Sequence, residues 1–151
     1  MRHMFYCDTV GWIGSVGLLL LRLVMGAAFV LHGWGKIQNP LAWMGPEAPV
    51  PAILQALAAA AEFGGGMALI VGLLTRLASL GILSNMVVAL AMVHIPHGDP
   101  FVFMSKPPIK PSYELAAVYL ACAVVFLLLG PGRLSADALL FRKAEPPAAA
   151  Q

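Results

Sequence analysis

The chain reads as four apolar blocks separated by two long proline-rich intervals and one short turn. The first block, residues 11–36, is an almost unbroken run of Leu, Val, Ala, Gly and Phe. Roughly 20 such residues suffice to cross the hydrocarbon core as a helix, so the block predicts a membrane span. Within it, Arg22, Gly26, Phe29, Gly33 and Lys36 recur at helical spacing and predict one stripe, with His32 beside it. A second span is predicted over 52–73, where Ala and Gly let a neighbouring backbone approach closely. A third runs over 77–95 and stops at Pro96, and a fourth over 113–129 ends at Gly130-Pro131-Gly132. Residues 134–141 predict a short amphipathic helix, with Ser135 as its cap and Asp137 in its first turn. The expected fold is therefore all-α: a polytopic membrane protein, built as a four-transmembrane-helix bundle. It divides into an N-terminal stretch at 1–10, a membrane domain at 11–142 and a disordered Pro/Ala tail at 143–151.

Composition strengthens this reading. Of 151 residues, 60% are hydrophobic and 11% charged, and the mean hydropathy is +0.86. A soluble domain carries about 25% charged residues. The net charge of +2 is small and unclustered, which argues against a nucleic-acid partner. Cys7 and Cys122 lie in different segments with no C-x-x-C, which argues against a dithiol enzyme and a structural zinc site.

Four crossings place both termini on one side, with Arg2, Arg76, Arg133, Arg142 and Lys143. The other side holds Lys36, Lys106 and Lys110. The positive-inside bias then puts the termini in the cytoplasm of a bacterial inner membrane, with the two long loops facing outward. Trp34, Trp43, Phe101, Phe103 and Tyr113 form an aromatic belt at that outer interface.

Charges inside a span demand partners. Counting inward from the helix ends puts Arg22 and Glu62 at similar depth, so the two are expected to pair across the first hairpin. The pair serves either as a structural clasp or as the charged wall of a ligand or proton site. Nearer the outer surface lie His32, Lys36, His94, His97 and Glu114. A histidine exchanges a proton near neutral pH, and an adjacent carboxylate orients its ring. His32 and Glu114 are thus candidate proton-handling catalytic residues. Arg22, Lys36, Glu62 and His94 are candidates for binding a quinone head group, whose carbonyls take up protons as electrons arrive. The same polar residues are also compatible with nothing more than proximity to interfacial water. His94 and His97 are three apart, but Pro96 interrupts the helix between them and no thiolate lies nearby, so no metal site is expected. A haem spanning His32 and His94 is a weaker alternative. Asn85 lies nine residues before His94, which in a regular helix places them on opposite faces, with one of them turned toward a neighbouring subunit. Cys122 reads as a small apolar filler.

Several of these stretches resemble the DoxX family of small bacterial membrane proteins. R-L-V-M-G-A-A-F-V-L-H-G-W-G-K at 22–36 is similar to its first-helix motif, and A-E-F-G-G-G-M-A-L-I-V-G-L-L-T-R at 61–76 to its second. S-Y-E-L-A at 112–116 and G-P-G-R-L-S-A-D at 130–137 complete the set. The resemblance implies a four-helix membrane bundle. It flags Arg22, His32, Gly33, Lys36, Glu62, Gly65, Gly72, His94, Glu114, Arg133, Ser135 and Asp137. The long proline-rich outer loop and the Pro/Ala tail depart from the family pattern. Relatives include the membrane subunit of a thiosulfate:quinone oxidoreductase. Two functions follow as expectations. One is an integral membrane subunit of a quinone-linked oxidoreductase, with an outward-facing polar site between helices 1, 2 and 4 and an electron donor supplied by a partner protein. The other is a non-catalytic accessory or assembly subunit packed against a larger respiratory or photosynthetic complex. A solute transporter is disfavoured by the absence of an inverted repeat.

Overall fold

The computed structural model describes residues 10–48, 50–103 and 111–141. The tail at 143–151, Cys7 and the basic residues Arg2, Lys106, Lys110, Arg142 and Lys143 lie outside these. Helix α1 covers Trp12–Gln38 and α2 covers Ala52–Val71. Helix α3 begins as Thr75–Ala89, passes through a π-helical turn at Leu90–His94 and closes as Ile95–His97. Helix α4 is Glu114–Leu129 and α5 is Ala136–Phe141. Every regular element among the described residues is a helix. Three helices are long and apolar enough to cross a membrane: Trp12–Gln38, Ala52–Val71 and Thr75–His97. Helix α4 is apolar but has only 16 residues, about 24 Å of rise.

Each boundary has a local cause. Helix α2 ends at Gly72, whose φ of 72° places it in the left-handed region. Gly72 N–H bonds back to Ala68 O, and Leu73 N–H reaches the same carbonyl at 2.9 Å, the six-to-one bond of a Schellman stop. Two residues later Leu74 is also left-handed, at φ 49°. A leucine there is strained by roughly 1–2 kcal/mol. Its N–H and that of Thr75 are held by one carboxylate, Asp137 Oδ1 at 2.7 Å and Oδ2 at 2.9 Å. Asp137 thereby caps α3 from a helix sixty residues away in sequence, and places negative charge at the positive end of the α3 dipole.

The sequence ends the third helix at Pro96, yet the helix runs on to His97. The π turn explains this. Ile95 N–H reaches back five residues to Leu90 O. The widened turn precedes Pro96, at the point where a proline would otherwise clash with a carbonyl of the preceding turn.

Consecutive helices pack antiparallel, with α1 against α2, α2 against α3 and α3 against α4, while α4 only touches α1. The core is Leu18, Met25, Phe29, Leu69, Ile82, Met86, Ala123 and Phe126. The α1–α2 seam is backbone to backbone. A Cβ on Gly66 would sit 2.7 Å from Val30 N, and one on Gly33 2.5 Å from Phe63 N. In lipid, where apolar burial does not drive helices together, such close packing holds the pair. Outward faces carry Ile13, Val24, Leu31, Leu128 and Leu139, all strongly exposed, as a bilayer-embedded surface requires.

Candidate functional site

Two polar clusters occupy opposite ends of the bundle. One lies beside residues 39–48 and 98–103 (the loop end), the other at the 72–74 turn (the turn end).

At the loop end the four long helices part around a cavity of about 330 Å³. Helix α1 contributes Phe29, His32 and Lys36; α2 contributes Glu62; α3 contributes Met86, Ala89 and His94. Leu115, Ala116 and Tyr119 of α4 and the preceding Ser112 close the wall. Lys36 Nζ donates to Glu62 Oε1 at 2.6 Å. Asn85 Nδ2 donates to the same oxygen and to Ala58 O, each at 3.2 Å. The other Glu62 oxygen, Oε2, is buried and has no hydrogen-bond partner. Lys36 also lies 4.4 Å from the centroid of the Trp43 ring, a cation–π contact. Trp43 is fixed in turn by its Nε1–H to Gln55 O at 2.9 Å. The nearly buried Gln55 side chain pins the 39–51 loop through Met44 N and Val50 O.

Across the cavity, His94 Nδ1 is 2.8 Å from Asp99 Oδ2. A carboxylate oxygen only accepts, so Nδ1 is the donor of this pair, and in the neutral form of the ring Nε2 is then an acceptor. His32 meets Tyr119 edge-on at 6.3 Å between centroids, and Tyr119 packs on Phe29 at 4.8 Å.

The turn end is closed and structural. Arg22 is completely buried. Its Nη1 donates to Leu69 O at 3.4 Å and its Nη2 to Leu134 O, and the buried carboxylate of Asp137 attracts it electrostatically. A Cβ on Gly72 would overlap the Arg22 guanidinium. Gly72 is therefore required both for its left-handed turn and for the space it leaves. Ser135 Oγ accepts from Ala138 N at 3.1 Å and caps α5. Ser15 Oγ accepts from Arg133 N at 3.1 Å.

The expected Arg22–Glu62 pair does not form. Gly33 lies against Phe63 and Gly26 against Gly66 and Ile70. That register sets Glu62 beside the end of α1, where Lys36 is, and Arg22 beside residues 69–72. Lys36 lies fourteen residues beyond Arg22, about 21 Å along the axis. Counting in from each helix end misses this, because α1 has 27 residues and α2 only 20.

The expected opposition of Asn85 and His94 is also corrected. Nine residues of regular helix turn about half a revolution beyond two full turns. The π turn absorbs one residue and leaves the two within about 80° of each other. His94 thus faces the cavity, while Asn85 faces Glu62.

The chain matches the DoxX family profile over residues 17–95. It is 31% identical over 138 residues to the inner membrane protein YqjF of Escherichia coli (strain K12), covering 85% of this chain and 95% of that one. An uncharacterized protein of Haemophilus influenzae is 30% identical over 127 residues, 83% of this chain and 92% of its own length. The chain belongs to the DoxX family. With three helices able to span a bilayer, this DoxX protein is a multi-pass inner-membrane protein. No solved structure matches it significantly.

Of the six candidate residues, the structure gathers His32, Lys36, Glu62 and His94 around the loop-end cavity, all inside the DoxX-matched stretch. Arg22 lies at the other end. Glu114 is exposed at the first turn of α4, favourably placed for the helix dipole. The cavity face of α4 is set by Leu115 and Tyr119, four apart, and Glu114 falls outside it. His97 is exposed and bonds Val93 O. Tyr119, Asp99 and the inward role of Asn85 escaped the sequence reading. Tyr119 was the one with a signal, lying five residues beyond Glu114 on a helix that must face His32.

Proposed function

We propose that this DoxX protein is the integral membrane subunit of a quinone-linked oxidoreductase and that the loop-end cavity holds a quinone head group. In this reading α4 crosses the bilayer as a fourth span, the termini are cytoplasmic and the cavity opens outward. The observation that carries the proposal is the make-up of the cavity. One wall is apolar and aromatic, with Phe29, Met86 and Leu115, and suits a flat ring. The polar groups converge on its rim: His32, Lys36, Glu62, His94 and Tyr119. A volume of about 330 Å³ lies at the small end of ligand sites and admits a ring rather than an isoprenoid chain.

Lys36 and the ring of His32 are the donors suited to a carbonyl oxygen. Asp99 holds His94 in the tautomer that accepts a proton at Nε2. A bound quinone would supply the two-electron chemistry, and the protein supplies binding, orientation and proton exchange. The donor belongs to another protein, since the chain has no C-x-x-C and its two cysteines are far apart in sequence. The accessory-subunit reading loses one of its supports, because Asn85 faces inward onto Glu62 rather than toward a neighbour.

The test is the quinone content of protein purified from native membranes in mild detergent, measured by mass spectrometry. A near-stoichiometric quinone that falls at least tenfold in Lys36→Met and His32→Ala is expected. Quinone no more abundant than in the co-purified lipid, and equal in the variants, would overturn the proposal.

A further inference from the structure

Glu62 has a specific imbalance. Its side chain is only 7% exposed and lines the cavity. Lys36 and Asn85 both donate to Oε1. Oε2 is buried without a donor. A carboxylate oxygen deprived of hydrogen bonds in a low-dielectric site is costly and calls for an O–H or N–H from whatever enters. A quinone has no such group, for both of its oxygens only accept. A hydroquinone has two hydroxyls, and each donates as well as accepts.

Resting on the quinone reading above, we infer that the cavity binds the reduced form in preference, with a hydroquinone hydroxyl donating to Glu62 Oε2. Lys36 and Asn85 are both spent on Oε1, which leaves Oε2 as the acceptor turned to an incoming group. His94, held at Nδ1 by Asp99, offers Nε2 as a second acceptor on α3. The cavity thus carries two acceptors, more than an oxidised ring can use. Tighter binding of the reduced form raises the midpoint potential of the bound couple. For two electrons, each tenfold of preference corresponds to about 30 mV. The site is accordingly biased toward receiving electrons into quinone rather than withdrawing them from hydroquinone.

The experiment compares a decyl-substituted benzoquinone with its hydroquinone by anaerobic calorimetric titration of the purified full-length protein in detergent. The expected result is hydroquinone binding at least tenfold tighter, a difference of about 1.4 kcal/mol. In Glu62→Gln, which loses the charged acceptor, the ratio of the two affinities is expected to fall toward one. If that variant does not fold, Glu62→Asp tests the same point, since it keeps the charge opposite Lys36 but withdraws the carboxylate by one methylene. Equal affinities, or tighter binding of the oxidised ring, would overturn the inference while leaving the quinone reading standing, with Oε2 satisfied by water. Binding of neither form would overturn both.

Discussion

At the scale of single residues, the buried charges differ in kind. Arg22 is a clasp. It ties α1 to the end of α2 and, through Leu134 O, to the chain leading into α5. Arg22→Met leaves Asp137 buried without its cation and is expected to cost on the order of 3 kcal/mol, read as a lower unfolding midpoint in detergent. Arg22→Lys is not expected to restore it, because a single ammonium lacks the fork that spans two carbonyls. A variant as stable as the parent would show that the guanidinium contributes nothing. Asp99 acts through His94. Asp99→Asn is expected to release the Nδ1 tautomer, and ¹⁵N NMR of the His94 ring reads this directly. An unchanged Nδ1 signal would mean that the pair does not orient the ring. That intramembrane charges need answers was legible from Arg22 and Glu62 alone. Which answers they find was not. Arg22 is met largely by backbone carbonyls, which no side-chain pattern records, and Glu62 is taken by Lys36 through the helix register.

At the scale of elements, glycine placement and one irregular turn decide the site. The small-residue run 64–66 announced close packing, and the structure bears this out at Gly66. Gly66→Ala forces α1 and α2 apart at a contact of 2.7 Å. It is expected to lower the unfolding midpoint in detergent, and since the cavity lies between these helices, to weaken quinone binding too. The π turn at Leu90–His94 was not legible, because nothing in L-A-M-V-H breaks a regular helical pattern. Pro96, two residues beyond it, was the visible trace, and it was read as a stop. Deleting Ala91 converts the π turn to regular helix and leaves eight regular residues from Asn85 to His94, so His94 is expected to keep its face, about 80° from Asn85. Quinone binding should then hold, with helicity by circular dichroism unchanged. Lost binding would show that the π turn does more for the site than set the direction of His94.

At the scale of the molecule, the bundle separates a closed polar latch from an open polar cavity by about 21 Å of helix. The turn end is sealed by Arg22, Gly72, Ser135 and Asp137, and the loop end parts around polar side chains. The family resemblance had flagged members of both groups as one set, and only the fold sorts them into a latch and a cavity. The overall helical plan was legible because long apolar runs have few alternatives in lipid. The cap that Asp137 supplies to α3 was not, since it joins residues more than sixty apart.

Photoaffinity labelling with an azido-quinone tests the central claim most directly, namely that the loop-end cavity holds a quinone ring. The expected result is label confined to peptides carrying residues 29–36 and 112–119, displaced by excess unmodified quinone. Label spread over the lipid-facing surface around Leu20, Leu128 and Leu139, and not displaced, would contradict it.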